Sequence, residues 1–116
     1  MNRLIAVAMI LMLIPPSAMA ASVAAGQRIA KRKCAGCHGA NGAGDGAMLA
    51  SLNPPAPPVP WTDKAGMAKF TDAQIIDVIK HGGTALHASP LMPDFGSQLS
   101  DKQIGDLVAY IRSLSK

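Results

Sequence analysis

Two cysteines and a histidine stand within residues 34–38, which read Cys-Ala-Gly-Cys-His, and the chain has no other cysteine. Two thiols at this spacing can reach the two vinyl groups of one porphyrin and form thioethers. The histidine that follows directly can then aim an imidazole nitrogen at the iron. The motif therefore predicts one covalent haem c, attached through Cys34 and Cys37, with His38 as an axial ligand.

A Cys-x-x-Cys pair also occurs in zinc sites, in thiol–disulfide redox motifs and as a short structural disulfide. A structural zinc site needs four ligands, and beyond the motif only His81 and His87 are further histidines. A thioredoxin-like motif lies near a βαβ unit, and no strand pattern flanks residues 34–38. The sequence therefore favours haem, while zinc and dithiol chemistry stay open as alternatives that the state of the two cysteines would distinguish.

The first twenty residues have the pattern of an export signal. Arg3 gives a positive start, residues 4–14 form an unbroken apolar run, and residues 18–20 read Ala-Met-Ala, a typical cleavage site. The run is shorter than the roughly 20 residues that span a bilayer, although an uncleaved anchor is the alternative. We therefore predict a secretory signal peptide at 1–20, a mature domain at 21–116, a periplasmic or otherwise exported location, and no stable membrane insertion after cleavage.

Composition limits both the core and the partners of this domain. The chain has nine prolines, eleven glycines and four aromatic residues, namely Trp61, Phe70, Phe95 and Tyr110. A short chain buries a small share of its surface, and a buried porphyrin would add the apolar mass that is missing.

The formal net charge is +4, and +3 once Arg3 is removed with the leader. This charge is too mild to predict nucleic acid as a partner.

Helix signals dominate the mature domain. Ser22 is placed to cap a first helix that runs to about Lys33. Capping boxes begin at Thr71 and Ser100, and each is followed by apolar residues at helical spacing. Residues 39–60 are rich in glycine and proline, so we expect a stiff, irregular loop there. The pattern predicts an all-α domain of about three to four helices with long loops around the haem.

A second strong ligand would turn the haem iron from a site open to small molecules into an electron carrier. The donors available are Met48, Met67, Met92, His81 and His87. Met92 is the preferred candidate because Pro90 and Pro93 flank it closely and restrict its loop, which lowers the entropy cost of holding a weak thioether ligand. His87 is the rival, and a helix-capping role is expected for His81.

Four segments together give the chain a resemblance to class I monohaem cytochromes c over essentially the whole mature domain. Gly26 lies eight residues before Cys34, and residues 34–39 match the haem motif of that family. Residues 91–95, Leu-Met-Pro-Asp-Phe, resemble its methionine loop, and residues 107–114 resemble its terminal helix.

The resemblance implies a fold and an activity. Gly26 on the first helix should pack against Tyr110 on the last, and His38 and Met92 should hold the iron from both faces. With both positions filled, no substrate coordinates the iron. The expectation is a periplasmic one-electron carrier rather than an enzyme, with a donor and an acceptor protein as its redox partners.

The resemblance also suggests roles around the ligands. His38 should donate its other ring N–H to a proline carbonyl after the motif, either Pro54 or Pro55. The Trp61 indole N–H could donate to a haem propionate, with plain packing as the alternative.

Two further alternatives concern function. The chain could pass electrons as a cytochrome subunit of a larger dehydrogenase or oxidase complex, or it could keep an open iron site as a haem enzyme or gas sensor. A group of basic side chains could guide an acidic redox partner or simply form a solvated helix face; its members are Arg28, Lys31, Arg32 and Lys33.

Overall fold

A computed structural model describes residues 20–116, so all but the last residue of the predicted signal peptide lies outside the described range. This range contains six α-helices and one 3₁₀ turn, and no strand. The elements are α1 (Val23–Lys33), α2 (Ala35–His38), α3 (Leu49–Leu52), α4 (Lys64–Met67), α5 (Asp72–His81), the 3₁₀ turn (Gly83–Leu86) and α6 (Asp101–Ser113). The predicted all-α class is confirmed. Within residues 20–116 no helix has the length and apolar character of a membrane span.

The two predicted capping boxes start α5 and α6. At α5 the Gln74 N–H donates to Thr71 Oγ1 at 3.1 Å, and the Thr71 N–H donates to Gln74 Oε1 at 2.9 Å. Ser100 and Gln103 repeat the same reciprocal pair at α6, at 3.1 and 2.9 Å. Each box satisfies N–H groups that have no partner within a helix, so the local sequence fixes both starting points.

Helices α1 and α6 cross in close contact. A Cβ atom placed on Gly26 would lie 2.9 Å from Tyr110 Cβ and closer still to the Asp106 carbonyl oxygen, so only glycine fits there without movement. The Ser22 N–H at the start of α1 donates to Asp106 Oδ1 at 2.7 Å. The expected pairing of Gly26 with Tyr110 is confirmed, and the crossing joins the two ends of the domain.

The last turn of α6 also holds the connection between α4 and α5. Arg112 Nε donates to Asp72 Oδ1 at 2.7 Å, and Arg112 Nη1 donates to the Met67 carbonyl oxygen at 3.0 Å. Arg112 Nη2 donates to the Phe70 carbonyl oxygen. The Arg112 guanidinium therefore hydrogen-bonds three groups of the α4–α5 connection to the last turn of α6.

The three long helices surround a single core, to which α4 adds Met67 and the loops add Trp61 and Leu99. The helical members are Ile29, Ala30, Ile75, Ile79, Ile104, Leu107, Val108, Tyr110 and Ile111. Cys34, Phe95 and Met92 are partly buried against this core. The core therefore ends at the cysteine motif and at the methionine loop, which together position the candidate site.

Candidate haem-binding site

The cysteine motif forms one turn of helix at the end of α1. The Cys34 N–H donates to the Ala30 carbonyl oxygen and the His38 N–H donates to the Cys34 carbonyl oxygen, each at 2.9 Å. Gly39, with φ of 87°, ends this turn. Side chains three and four positions apart share one face of a helix, so Cys34, Cys37 and His38 all line one cavity.

That cavity has a volume of about 300 Å³ and brings together all five residues that the sequence singled out. Cys34, Cys37, His38, Trp61 and Met92 lie in its wall, and much of the remaining lining is aliphatic. Small-molecule sites are typically clefts of roughly 300–1,000 Å³ with mainly apolar walls and a few polar groups. The fold therefore joins a motif near the start of the domain to a methionine 54 positions after His38.

Two further cavities share walls with the first. One, of about 360 Å³, is also bounded by His38 and Trp61, together with side chains of α5 and of the 3₁₀ turn. The other, of about 60 Å³, shares Cys37 and Met92. The three adjoining spaces form a mainly apolar hollow with His38 near its middle.

Trp61 holds the imidazole of His38 in this hollow. The two rings stack with centroids 4.6 Å apart and an interplanar angle of 21°. Trp61 in turn meets the Tyr110 ring edge-on with centroids 6.4 Å apart, which links His38 to the α1–α6 crossing. Trp61 thus has the packing role that was one of its two expected roles. The stacking itself was missed from the sequence, because nothing local signals a contact between residues 38 and 61.

The predicted acceptor for the His38 ring N–H is wrong. His38 Nδ1 is buried and has no hydrogen-bond partner within residues 20–116, and Pro54 instead lines the small recess beside Cys37. The reason is tertiary, since Trp61 fixes the plane of the imidazole. Burial lowers the pKa of His38 because the imidazolium loses hydration. A neutral imidazole is the form that can bind a metal ion.

The Cys34 thiol has an environment unlike that of a zinc ligand or a reactive dithiol. Burial raises the pKa of Cys34 to about 11, with Lys33 opposing and Cys37 adding to the shift. Zinc ligation and thiol–disulfide exchange both use the thiolate, which this environment disfavours. Across residues 20–116 no group of three or more His, Cys, Asp or Glu side chains could hold a metal ion. The residues present instead fit a porphyrin, with two thiols beside a mainly apolar hollow and one neutral imidazole inside it.

The methionine loop is closed by backbone hydrogen bonds. The Gly83 N–H donates to the Met92 carbonyl oxygen at 3.1 Å, and the Met92 N–H donates to the Ser89 carbonyl oxygen at 3.3 Å. These bonds hold Met92 partly buried against the core, with its side chain in the cavity wall. His87 also belongs to this loop, but it lines the 360 Å³ cavity.

An exposed apolar rim borders the hollow beside Cys37. Its residues are Met48, Leu52 and Leu91, whose exposed fractions are 51%, 38% and 44%. Arg32 and Lys33 line the same cavity, so the wall that carries this rim also carries positive charge. Exposed apolar side chains grouped at the mouth of a cavity are typical of a contact surface.

Comparison with known proteins gives consistent matches. The family model for cytochrome c matches residues 23–115. A cytochrome c6 of Thermosynechococcus vestitus is 33% identical over 108 residues, covering 92% of this chain and 82% of that protein. A cytochrome c6 of Thermostichus vulcanus is 33% identical over 97 residues, covering 83% and 73% respectively.

Solved structures agree with the sequence relatives. The KustC0563 c-type cytochrome superposes with a TM-score of 0.61 at 25% identity, covering 78% of this chain and 98% of that one. A chain of the Kuenenia stuttgartiensis reducing HAO-like protein complex Kustc0457/Kustc0458 gives 0.63 at 26% identity, covering 81% and 44%. With the cysteine motif, the methionine loop and the helix crossing all in place, this chain belongs to the cytochrome c family as a class I monohaem protein with covalent haem c.

Proposed function

We propose that the protein is an exported, freely diffusing one-electron carrier in which His38 and Met92 hold the haem iron from its two faces. The single observation that carries this proposal is the meeting of Cys34, Cys37, His38 and Met92 in one cavity wall. The bound haem would supply a reversible one-electron change between ferric and ferrous iron. Because two protein ligands would occupy the iron, the site has no position for a substrate.

The protein residues would tune this chemistry through the walls of the hollow. Met92 offers a thioether, which favours ferrous iron more than a second imidazole does. The buried aliphatic side chains exclude water and so disfavour the more highly charged ferric state. Trp61 would keep the plane of His38 constant in both redox states, and its indole N–H is our proposed donor to a propionate.

Electrons would enter and leave at the exposed rim of Met48, Leu52 and Leu91. Redox partners typically dock through small interfaces, and an exposed apolar rim beside the attachment cysteine Cys37 suits such a contact. The neighbouring basic group would favour an acidic partner by raising the association rate; its side chains are all exposed, namely Arg28, Lys31, Arg32 and Lys33. The electron-transfer rate constant should then fall as ionic strength rises, and a flat profile would contradict this guidance.

Export would place the carrier in the bacterial periplasm. Residues 1–20 would be the signal peptide and residues 21–116 the mature domain. The family match, which begins at residue 23, is consistent with this boundary. Mass spectrometry of protein made in a haem-attaching host should give the mass of residues 21–116 plus one haem. A measured mass that includes residues 1–20 would contradict a free carrier and would indicate a membrane-anchored protein.

A second candidate is a cytochrome subunit that passes electrons within a larger complex. The observation that favours it is the structural likeness to a chain of the reducing HAO-like protein complex, of which this chain covers 44%. Purification from native membranes and native soluble extract distinguishes the two candidates. A free carrier elutes alone at the size of the domain, whereas a subunit elutes with a large partner.

Optical spectra test the proposed iron ligands. A sulfur ligand on ferric haem gives a weak far-red band, which should be present in the wild type and lost in Met92→Ala. Met48→Ala is the matched control, because Met48 lines the same cavity yet is half exposed. Loss of the band in the control, with retention in Met92→Ala, would assign the sulfur ligand to Met48 instead.

A further inference from the structure

We propose that His87 is a reserve ligand for the haem iron, able to take the position of Met92 when the methionine leaves. This proposal rests on the proposed ligation by His38 and Met92. Its first support is placement. His87 lines the cavity of about 360 Å³, which adjoins the cavity that contains Met92 across the shared side chains of His38 and Trp61. The polar side chains in that wall are His38, Trp61 and His87, and the remaining lining is apolar. Of these, only the histidines carry a nitrogen that can coordinate iron.

The backbone at His87 gives a second, independent support. Its φ of 52° and ψ of 28° lie in the left-handed region, which is unfavourable for a residue with a Cβ atom. Such strain tends to occur where a functional side chain must be held in place. The His87 N–H donates to the Thr84 carbonyl oxygen at 3.2 Å, which fixes this conformation at the end of the 3₁₀ turn.

His81 shows that this placement is particular to His87. The one histidine ion pair within residues 20–116 joins His81 Nε2 to Asp77 Oδ1 at 3.6 Å, on an exposed face of α5. His81 lines none of the three cavities described above. His87 is also exposed, but it keeps contact with the hollow. The two histidines thus form a natural pair of test position and control.

One loop carries both Met92 and His87. Met92 and His87 lie on one segment that is closed by the bonds from the Gly83 N–H to the Met92 carbonyl oxygen, at 3.1 Å, and from the Ala88 N–H to the Gly83 carbonyl oxygen, at 2.8 Å. With haem bound, the exchange would replace the Met92 sulfur on the iron by one ring nitrogen of His87, so one ligand bond would be lost and one gained. The exchange would change neither the oxidation state of the iron nor the number of its ligands. Two-histidine ligation would lower the reduction potential relative to ligation by histidine and methionine.

The decisive experiment compares three holoproteins by electron paramagnetic resonance and optical spectra of the ferric form. In Met92→Ala we expect a low-spin, six-coordinate iron without the sulfur band. In Met92→Ala/His87→Ala the iron should become high-spin, and the reduced form should bind carbon monoxide about tenfold faster or more, because no protein ligand competes. The control Met92→Ala/His81→Ala should match Met92→Ala.

Two outcomes would overturn the proposal. A high-spin iron in Met92→Ala would show that His87 does not reach the metal. A low-spin iron that persists in Met92→Ala/His87→Ala would assign the replacement ligand elsewhere, and a retained sulfur band would point to Met48 or Met67. The wild-type spectrum tests the primary ligation separately. A wild-type sulfur band together with high-spin Met92→Ala would remove the reserve ligand and leave the proposed carrier intact.

Discussion

The α1–α6 crossing and the haem-binding hollow differ in how completely the polypeptide itself fills them. At the crossing, Gly26 brings two backbones into contact, and the buried Asp106 carboxylate accepts hydrogen bonds from Ser22 and Lys102. In the hollow, cavities of about 300 and 360 Å³ adjoin and share the walls formed by His38 and Trp61. Protein interiors are normally close-packed, with few voids larger than a water molecule. The polypeptide therefore completes the crossing by itself, whereas the hollow is shaped for a group that the chain does not supply.

The largest expected effect comes from removing that group. The variant Cys34→Ala/Cys37→Ala cannot form either thioether, so the mature protein should have the mass of the bare polypeptide. We expect it to lose most of its helical circular dichroism, because a small domain without its porphyrin has too little apolar contact to fold. Cys34→Ala alone, which keeps Cys37, is the control and should retain haem on one thioether. A stable, helical double variant would show that the crossing alone can hold the fold.

The next effect tests the crossing directly. Gly26→Val places side-chain atoms against the Asp106 carbonyl and the Tyr110 side chain, where the backbone cannot yield easily. We expect a loss of about 3 kcal/mol in the free energy of unfolding, measured by denaturant titration of the holoprotein. Gly105→Ala is the matched control in α6, because a Cβ there meets nothing within 4 Å. Better helix propensity should stabilise that control by about 1 kcal/mol, and equal losses in both variants would contradict a close crossing.

A smaller effect is expected at the wall of the hollow. Arg112→Lys keeps the positive charge but loses the fork that reaches Asp72 and the carbonyl oxygens of Met67 and Phe70. We expect a loss of about 2 kcal/mol, with faster amide hydrogen exchange between Met67 and Phe70 than in the wild type. Lys102→Arg, in the same helix but outside this contact, should leave that exchange unchanged. Unchanged exchange in Arg112→Lys would show that the wall does not depend on the guanidinium.

The smallest effect depends on pH and concerns Asp106. Hydrogen bonds from Lys102 and then from the Ser22 N–H hold its pKa below the ordinary value of 3.8. Because the folded pKa is lower than the unfolded one, this stabilisation is present above about pH 4 and is lost as the pH falls toward the folded pKa. Asp106→Asn should therefore be less stable than the wild type at pH 7, by about 1 kcal/mol, with a smaller difference at pH 3.

Asp101 serves as the control for that titration. Its pKa is also lowered, through the side-chain hydrogen bond and charge of Lys80, but its side chain is 89% exposed. Asp101→Asn should change the melting temperature much less than Asp106→Asn at pH 7, because solvent screens exposed pairs. If the two variants had the same pH profile, burial at the crossing would not be the source of the Asp106 effect.

Sequence reasoning succeeded where the signal is local. The capping boxes at Thr71 and Ser100 start α5 and α6 as predicted, since each depends on residues within three positions. The single-turn helices α2, α3 and α4 were not predicted, and α3 lies inside the segment expected to be irregular. Such short helices have too few positions for a periodic pattern. The prediction that a proline carbonyl accepts a hydrogen bond from His38 Nδ1 was wrong, because a distant aromatic ring, Trp61, decides the orientation of the imidazole.

By itself, the sequence determined the chemistry of attachment and the start of each long helix, because both depend on side chains a few positions apart. The tertiary structure alone decided which distant groups meet. Trp61 stacks on His38, Arg112 binds the α4–α5 connection, and His87 lines the 360 Å³ cavity together with His38. These contacts join residues between 23 and 49 positions apart. They depend on how the helices pack around the hollow, and no spacing rule along the chain encodes that packing.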